Sequence, residues 1–144
     1  MHYLGLVFVK EPTDEAVNKE MESYEGKHWD WYRCGGRWDG WLHGEEEEKR
    51  RETHNGFNFD DSNNCAERNA VRVADLKLRY IPHFFVVDTY FIPQTYWNDF
   101  ERSDSKYRLG DYGRFVETPH FQERWEKALT DHADDWVVVV DAHN

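Results

Sequence analysis

Gly35-Gly36-Arg37 sits among Trp29, Trp31, Trp38 and Trp41, with Arg33 just upstream. Adjacent glycines let a ligand approach the backbone and present amide N–H groups to an anion, while a guanidinium can hold phosphate or carboxylate through two parallel hydrogen bonds. Indole faces nearby can stack a base or pair with arginine. Trp29, Trp31, Arg33, Gly35, Gly36, Arg37 and Trp38 therefore make a candidate recognition site of nucleotide size. The competing reading is a hairpin: its glycines meet turn geometry, its tryptophans are core, and Arg37 pairs with an acidic neighbour such as Asp39.

Asp141 and His143 lie two apart near the end of an apolar run, so on a strand they share a face. There a carboxylate can orient an imidazole as acid, base or metal ligand. His28 and Asp30 repeat the spacing on another expected strand. If the chain is an enzyme, His143 or His28 supplies the acid or base, and Asp141 or Asp30 orients it. Convergence of all four would make a divalent metal site, but the metal-free reading ranks above it and no cofactor is expected. His83 and His120 read as surface or satisfied histidines. Cys34 and Cys65 are the only cysteines, too few for a thiolate zinc site or a disulfide framework, and read as buried or idle thiols. The sequence carries no P-loop, His-Glu-x-x-His, Gly-x-Ser-x-Gly or dinucleotide fingerprint.

The elements that must position these residues follow from periodicity. Tyr3 to Val9 is apolar on both faces and reads as a central strand. Thr13 is an N-cap, with Asp14 and Glu15 in the first turn and Val17, Met21 and Tyr24 on one face of a helix that Gly26 ends. His28 to Cys34 reads as a strand, broken at Gly35-Gly36, and Arg37 to Leu42 as a strand that pairs back with it. His43 to Asn64, with Glu45 to Glu48 and then Asn-, Gly- and Asp-rich sequence, reads as a long exposed acidic loop. Asn64 to Val73 predicts a short helix and Phe84 to Ile92 a buried strand bracketed by Pro82 and Pro93. Thr118-Pro119 marks a helix start, with Phe121, Trp125, Leu129 and His132 at helical spacing, and Trp136 to Val140 is a β-branched central strand. The order β-α-β-β, loop, β, α-β predicts one α+β domain over residues 1–144. Its sheet should be mixed and mainly antiparallel with helices packed on one side, and a ferredoxin-like arrangement is compatible with it.

Composition narrows the partners. A chain of 144 residues can bury one core without staples, and its 7 Trp, 8 Tyr and 9 Phe supply much of that apolar surface. The net charge of -11 excludes general binding to nucleic acid backbones, so any phosphate must be met locally. No apolar run is long enough to span a bilayer and the first residues lack a basic leader, so a cytoplasmic location without a membrane partner is expected.

Trp29-Asp30-Trp31-Tyr32-Arg33-Cys34-Gly35-Gly36-Arg37-Trp38-Asp39-Gly40 and the ending Val139-Val140-Asp141-Ala142-His143 resemble signatures of a group of uncharacterised small phage and prophage proteins. Val71 to Leu76 and Pro82 to Val87 are similar to the middle segment of that group. The chain departs from the pattern with Cys34 at an aliphatic position and Ala142 at a cysteine position, which weakens any idea of thiol chemistry. The resemblance implies phage origin and, for small proteins of this kind, a role against host defence. Three functions then follow: a binding protein that sequesters a nucleotide-like host immune signal; a hydrolase that cleaves such a nucleotide with His/Asp acid-base chemistry; and an acidic DNA mimic that occupies a host defence protein. A homo-oligomer with tryptophans at its interface fits the first.

Overall fold

The computed structural model describes residues 1–49, 65–78, 81–97 and 115–144. β1 (His2–Val9) and β8 (Trp136–His143) pair antiparallel along their whole length, from His2 opposite His143 to Val9 opposite Trp136. Both are nearly continuous apolar runs, and Leu4, Leu6, Val7 and Val137 to Val140 have no exposed surface. Strands covered on both faces need that composition. β4 (Phe84–Val87) lies parallel to β1 on its other side, and β5 (Tyr90–Pro93) pairs antiparallel with β4 at the edge. The six-stranded sheet runs β2-β8-β1-β4-β5, where β2 is Trp31–Cys34, and β3 (Ala70–Arg72) also pairs with β8. β2 takes the Val140–His143 part of the outer edge of β8, and β3 takes the Trp136–Val138 part.

The side-chain alternation of β1 divides the core. Tyr3, Val7 and Val9 face α1 (Asp14–Met21) together with Val17, Met21, Trp29, Phe84 and Val138. Leu4, Leu6 and Phe8 face α3 (Phe121–Asp131) together with Phe85, Trp125, Val137 and Val139. Each fully buried Leu, Val or Phe contributes roughly 1.5–3 kcal/mol relative to exposure, so both faces are needed. At Gly5 the ring of Phe84 crosses the backbone, and a Cβ there would lie 2.1 Å from its Cζ.

The α+β class and the mixed, mainly antiparallel sheet agree with the sequence reading. The helices, however, cover both faces, and β1 and β4 are direct parallel neighbours, whereas a ferredoxin-like order would seat an antiparallel strand between them. Thr13 caps α1 as expected, its Oγ1 accepting the Ala16 N–H at 3.1 Å.

Other boundaries differ for local reasons. The second strand begins only at Trp31, because Lys27 and His28 donate their N–H groups to the Tyr24 carbonyl in a turn. Arg37 to Leu42 is not a strand but two 3-10 turns, Gly36–Trp38 and Trp41–His43, since Gly35, Gly36 and Gly40 take positive φ and β3 fills the remaining edge of β8. The expected helix from Asn64 shortens to α2 (Cys65–Arg68), after which the chain enters β3. Phe84 to Ile92 is a hairpin rather than one strand, turned by Asp88 and Thr89 at φ 49 and 66. α3 starts after His120, not at Thr118, whose carbonyl takes the Phe121 N–H in a turn. Of the expected acidic loop, residues 45–49 are helical and the Glu48 N–H donates to the Gly44 carbonyl at 3.1 Å. Glutamates in a first turn suit the positive end of the helix dipole. Residues 50–64 lie outside the described residues. β6 (Thr95–Trp97) and β7 (Phe115–Glu117) form a separate antiparallel pair.

Candidate functional site

One end of the sheet gathers the polar groups. β8 stays in register with β1 to its last residue, so Asp141 and His143 continue the face of Val137 and Val139, and His2 of β1 lies opposite His143. On the other side of β8, β2 places Trp31 opposite His143 and Arg33 opposite Asp141. The Trp31 and His143 rings stack at 4.8 Å with planes 2° apart, and His2 meets them edge-on at 5.5 and 5.1 Å. The Arg33 guanidinium carbon sits 5.7 Å from the Trp31 ring centroid, within cation–π range. His143 Nδ1 lies 3.6 Å from the Asp30 carboxylate.

Asp141 organises this end. It is 2 % exposed, its Oδ1 is 2.8 Å from His2 Nδ1, and its Oδ2 accepts the Arg37 N–H at 3.1 Å. A buried carboxylate needs such donors. With Nδ1 donating to Asp141, the His2 ring leaves Nε2 as its proton-accepting atom, the arrangement by which a carboxylate prepares an imidazole for acid-base work. Gly36, at φ 55, is required by the same contact, because a Cβ there would lie 2.4 Å from the Asp141 Cβ.

The turn that carries Arg37 is fixed on its other side by Asn69. Asn69 is fully buried, donates from Nδ2 to Asp39 Oδ1 at 2.7 Å and accepts the Gly40 N–H on Oδ1 at 2.8 Å. His83 stands behind the turn, its ring 6.4 Å from that of Trp38, and its Nδ1 accepts the Leu4 N–H at 2.9 Å. Burial pushes the His83 pKa down. On the far face of the sheet, Tyr32 is pushed up to about 12, first by burial and then by Glu22 and Glu25.

The sequence-predicted residues divide accordingly. Trp31, Arg33, Asp141, His143 and Asp30 come together, and Arg37 reaches them through its backbone N–H on Asp141. Trp29 does not join them: it is 1 % exposed and stacks on Phe84 in the core at 5.5 Å. His28 lies on the α1 side, stacked on Phe91 at 4.4 Å, so the four His and Asp groups do not converge. The Gly35-Gly36 turn does not offer its flanking amides to an anion. Gly35 donates to the Val139 carbonyl, Arg37 to Asp141, Trp38 to the Gly35 carbonyl and Asp39 to the Gly36 carbonyl. Trp38 is half-buried against the α3-side core, while Arg33 and Arg37 are exposed. Among the described residues no group of three or more His, Cys, Asp or Glu is placed to hold a metal ion, and no helix is long and apolar enough to cross a membrane.

His2 is the residue that the sequence reading missed. Its only local signal is its place at the start of the β1 run, and its partner is 139 residues away. Comparison with protein-family models, with curated proteins and with solved structures finds no match for the chain.

Proposed function

We propose that the chain binds a small phosphorylated, nucleotide-like ligand at the sheet end built by Trp31, Arg33, Arg37, His2 and His143, and holds it out of solution. For a phage-encoded protein this removes a host immune signal. The reading rests on one observation: a Trp31–His143 ring stack with the Arg33 guanidinium over it and the exposed Arg37 on the adjoining turn. Bases stack on such rings, and guanidiniums hold phosphate through paired hydrogen bonds. In a chain of net charge -11, these cations mark where an anion can be met.

Titration calorimetry with a panel of linear and cyclic nucleotides tests the reading. Arg37→Ala should weaken the nucleotide that binds by a factor on the order of 30 to several thousand, the equivalent of roughly 2–5 kcal/mol for a desolvated charge-assisted contact. Its stability without ligand should change by no more than about 1 kcal/mol. Arg37→Lys should restore only part of the affinity, because a point charge does not reproduce the two-pronged contact. Unchanged affinity in Arg37→Ala would remove this residue from the site.

A second reading, hydrolysis of the bound nucleotide, is favoured by the His2–Asp141 contact at 2.8 Å, which simple sequestration does not require. His2 Nε2 would take the proton from water, with His143, 5.1 Å away ring to ring, as the acid. Mass analysis of the ligand after incubation and denaturation separates the two: intact recovery supports sequestration and conversion supports hydrolysis.

A further inference from the structure

We propose that Cys34 and Cys65 form a redox pair that a small peroxide converts to an intramolecular disulfide, with Cys65 as the attacking sulfur and Cys34 as the resolving one. Cys34 ends β2 and Cys65 opens α2, yet the fold brings them into contact: the Cys65 thiol donates to the Cys34 carbonyl oxygen, 3.1 Å from Sγ. Both are free.

The surroundings of the two sulfurs differ. Asn69 Nδ2 lies 3.5 Å from Cys65 Sγ, and the positive charge of Arg68 also acts on that sulfur, which favours its thiolate. The neighbouring Cys34 is the largest influence holding the Cys65 pKa below its usual value, while the neighbouring Cys65 and burial push Cys34 strongly up. Cys34 thus keeps its proton while Cys65 releases its own more readily, the division of roles that a two-cysteine oxidation needs. Cys65 is 9 % exposed, which selects a small neutral oxidant over a bulky disulfide.

The chemistry balances with hydrogen peroxide as the oxidant. The Cys65 thiolate attacks one peroxide oxygen, the O–O bond breaks, and the departing hydroxide takes up a proton to become water, leaving a sulfenic acid. The Cys34 sulfur then attacks the Cys65 sulfur. The S–O bond breaks, and hydroxide leaves with the Cys34 proton as a second water. Two thiols lose two electrons, and the peroxide is reduced to two waters. The new bond closes residues 35–64 into a ring next to the Gly35 turn, and a cellular thiol reductant reopens it.

Intact-mass and peptide-mapping mass spectrometry of the folded protein after mild peroxide treatment tests this. The expected result is loss of the mass of two hydrogens, a Cys34–Cys65 linked peptide, and reversal by dithiothreitol. In Cys34→Ser, a dimedone-type probe should trap a sulfenic acid on Cys65, whereas in Cys65→Ser the remaining Cys34 should stay reduced. Native protein whose thiols both survive the treatment, or in which Cys34 is oxidised first, would overturn the proposal. The wild-type measurement decides even if a variant fails to fold.

Discussion

The sheet has a histidine–aspartate cluster at each end, and the two are built for different tasks. At the end formed by β2, His2 contacts one buried carboxylate through Nδ1, and among the described residues its Nε2 carries no hydrogen bond. At the opposite end, His132 has both nitrogens engaged: Nδ1 with Asp135 at 2.6 Å and Nε2 with Asp88 at 3.2 Å. Lys10 completes that cluster at 2.8 Å from Asp135. His132 therefore ties the β4–β5 turn to the connection between α3 and β8, although a cavity of about 190 Å³ adjoins it. A histidine whose ring nitrogens are both taken is a staple, and one with a nitrogen left over is available for chemistry.

Gly36→Ala should produce the largest effect. It puts a side chain at φ 55 and pushes on Asp141, so unfolding in denaturant should show a loss of more than about 2 kcal/mol, with ligand binding weakened as well. If stability were unchanged, Asp141 would not be the organiser of the site. His132→Ala, at the other end, should lower stability by about 1–2 kcal/mol through two lost hydrogen bonds, with nucleotide affinity unaltered. His2→Asn should show the reverse: its amide can still donate to Asp141, so stability should stay within about 1 kcal/mol, while any turnover disappears. Equal effects of the two histidine variants on binding or turnover would erase the distinction.

A smaller effect is expected with pH. Burial pushes the Asp135 carboxyl up, but the hydrogen bonds from Lys10 and His132 outweigh it and hold the pKa below the ordinary 3.8. A carboxylate depressed in the folded state stabilises fully above its unfolded value and loses that contribution as the pH falls through the folded one. Thermal unfolding should therefore show the Asp135 contribution intact above pH 3.8 and fading below it. Asp135→Asn should flatten that part of the profile. Burial depresses the His83 base, so its contribution acts in the same direction at higher pH, falling as the pH drops below 6.5.

Legibility in the sequence followed the range of the interactions. β1, α1 with its Thr13 cap, and β8 were readable because their signals are local: continuous apolar runs and a capping residue. The β4–β5 hairpin was not, because Asp88-Thr89 takes two positive φ angles without the glycine that announces such a turn. Trp31, Arg33, Arg37, Asp141 and His143 could be singled out by residue type. Whether Trp29 was site or core, whether the glycine amides were open, and that His2 belongs with Asp141 depend on strand register, which no short window of sequence contains. The Cys34–Cys65 contact was hidden for the same reason.

Native mass spectrometry of freshly purified protein tests the central claim most directly. It predicts a co-purifying phosphorylated small molecule on the wild-type chain that is lost from a Trp31→Ala, Arg33→Ala variant shown to be folded, and the same spectrum gives the subunit count. A wild-type mass equal to the bare chain, with no nucleotide taken up on addition, or a bound molecule that persists unchanged in the variant, would contradict it.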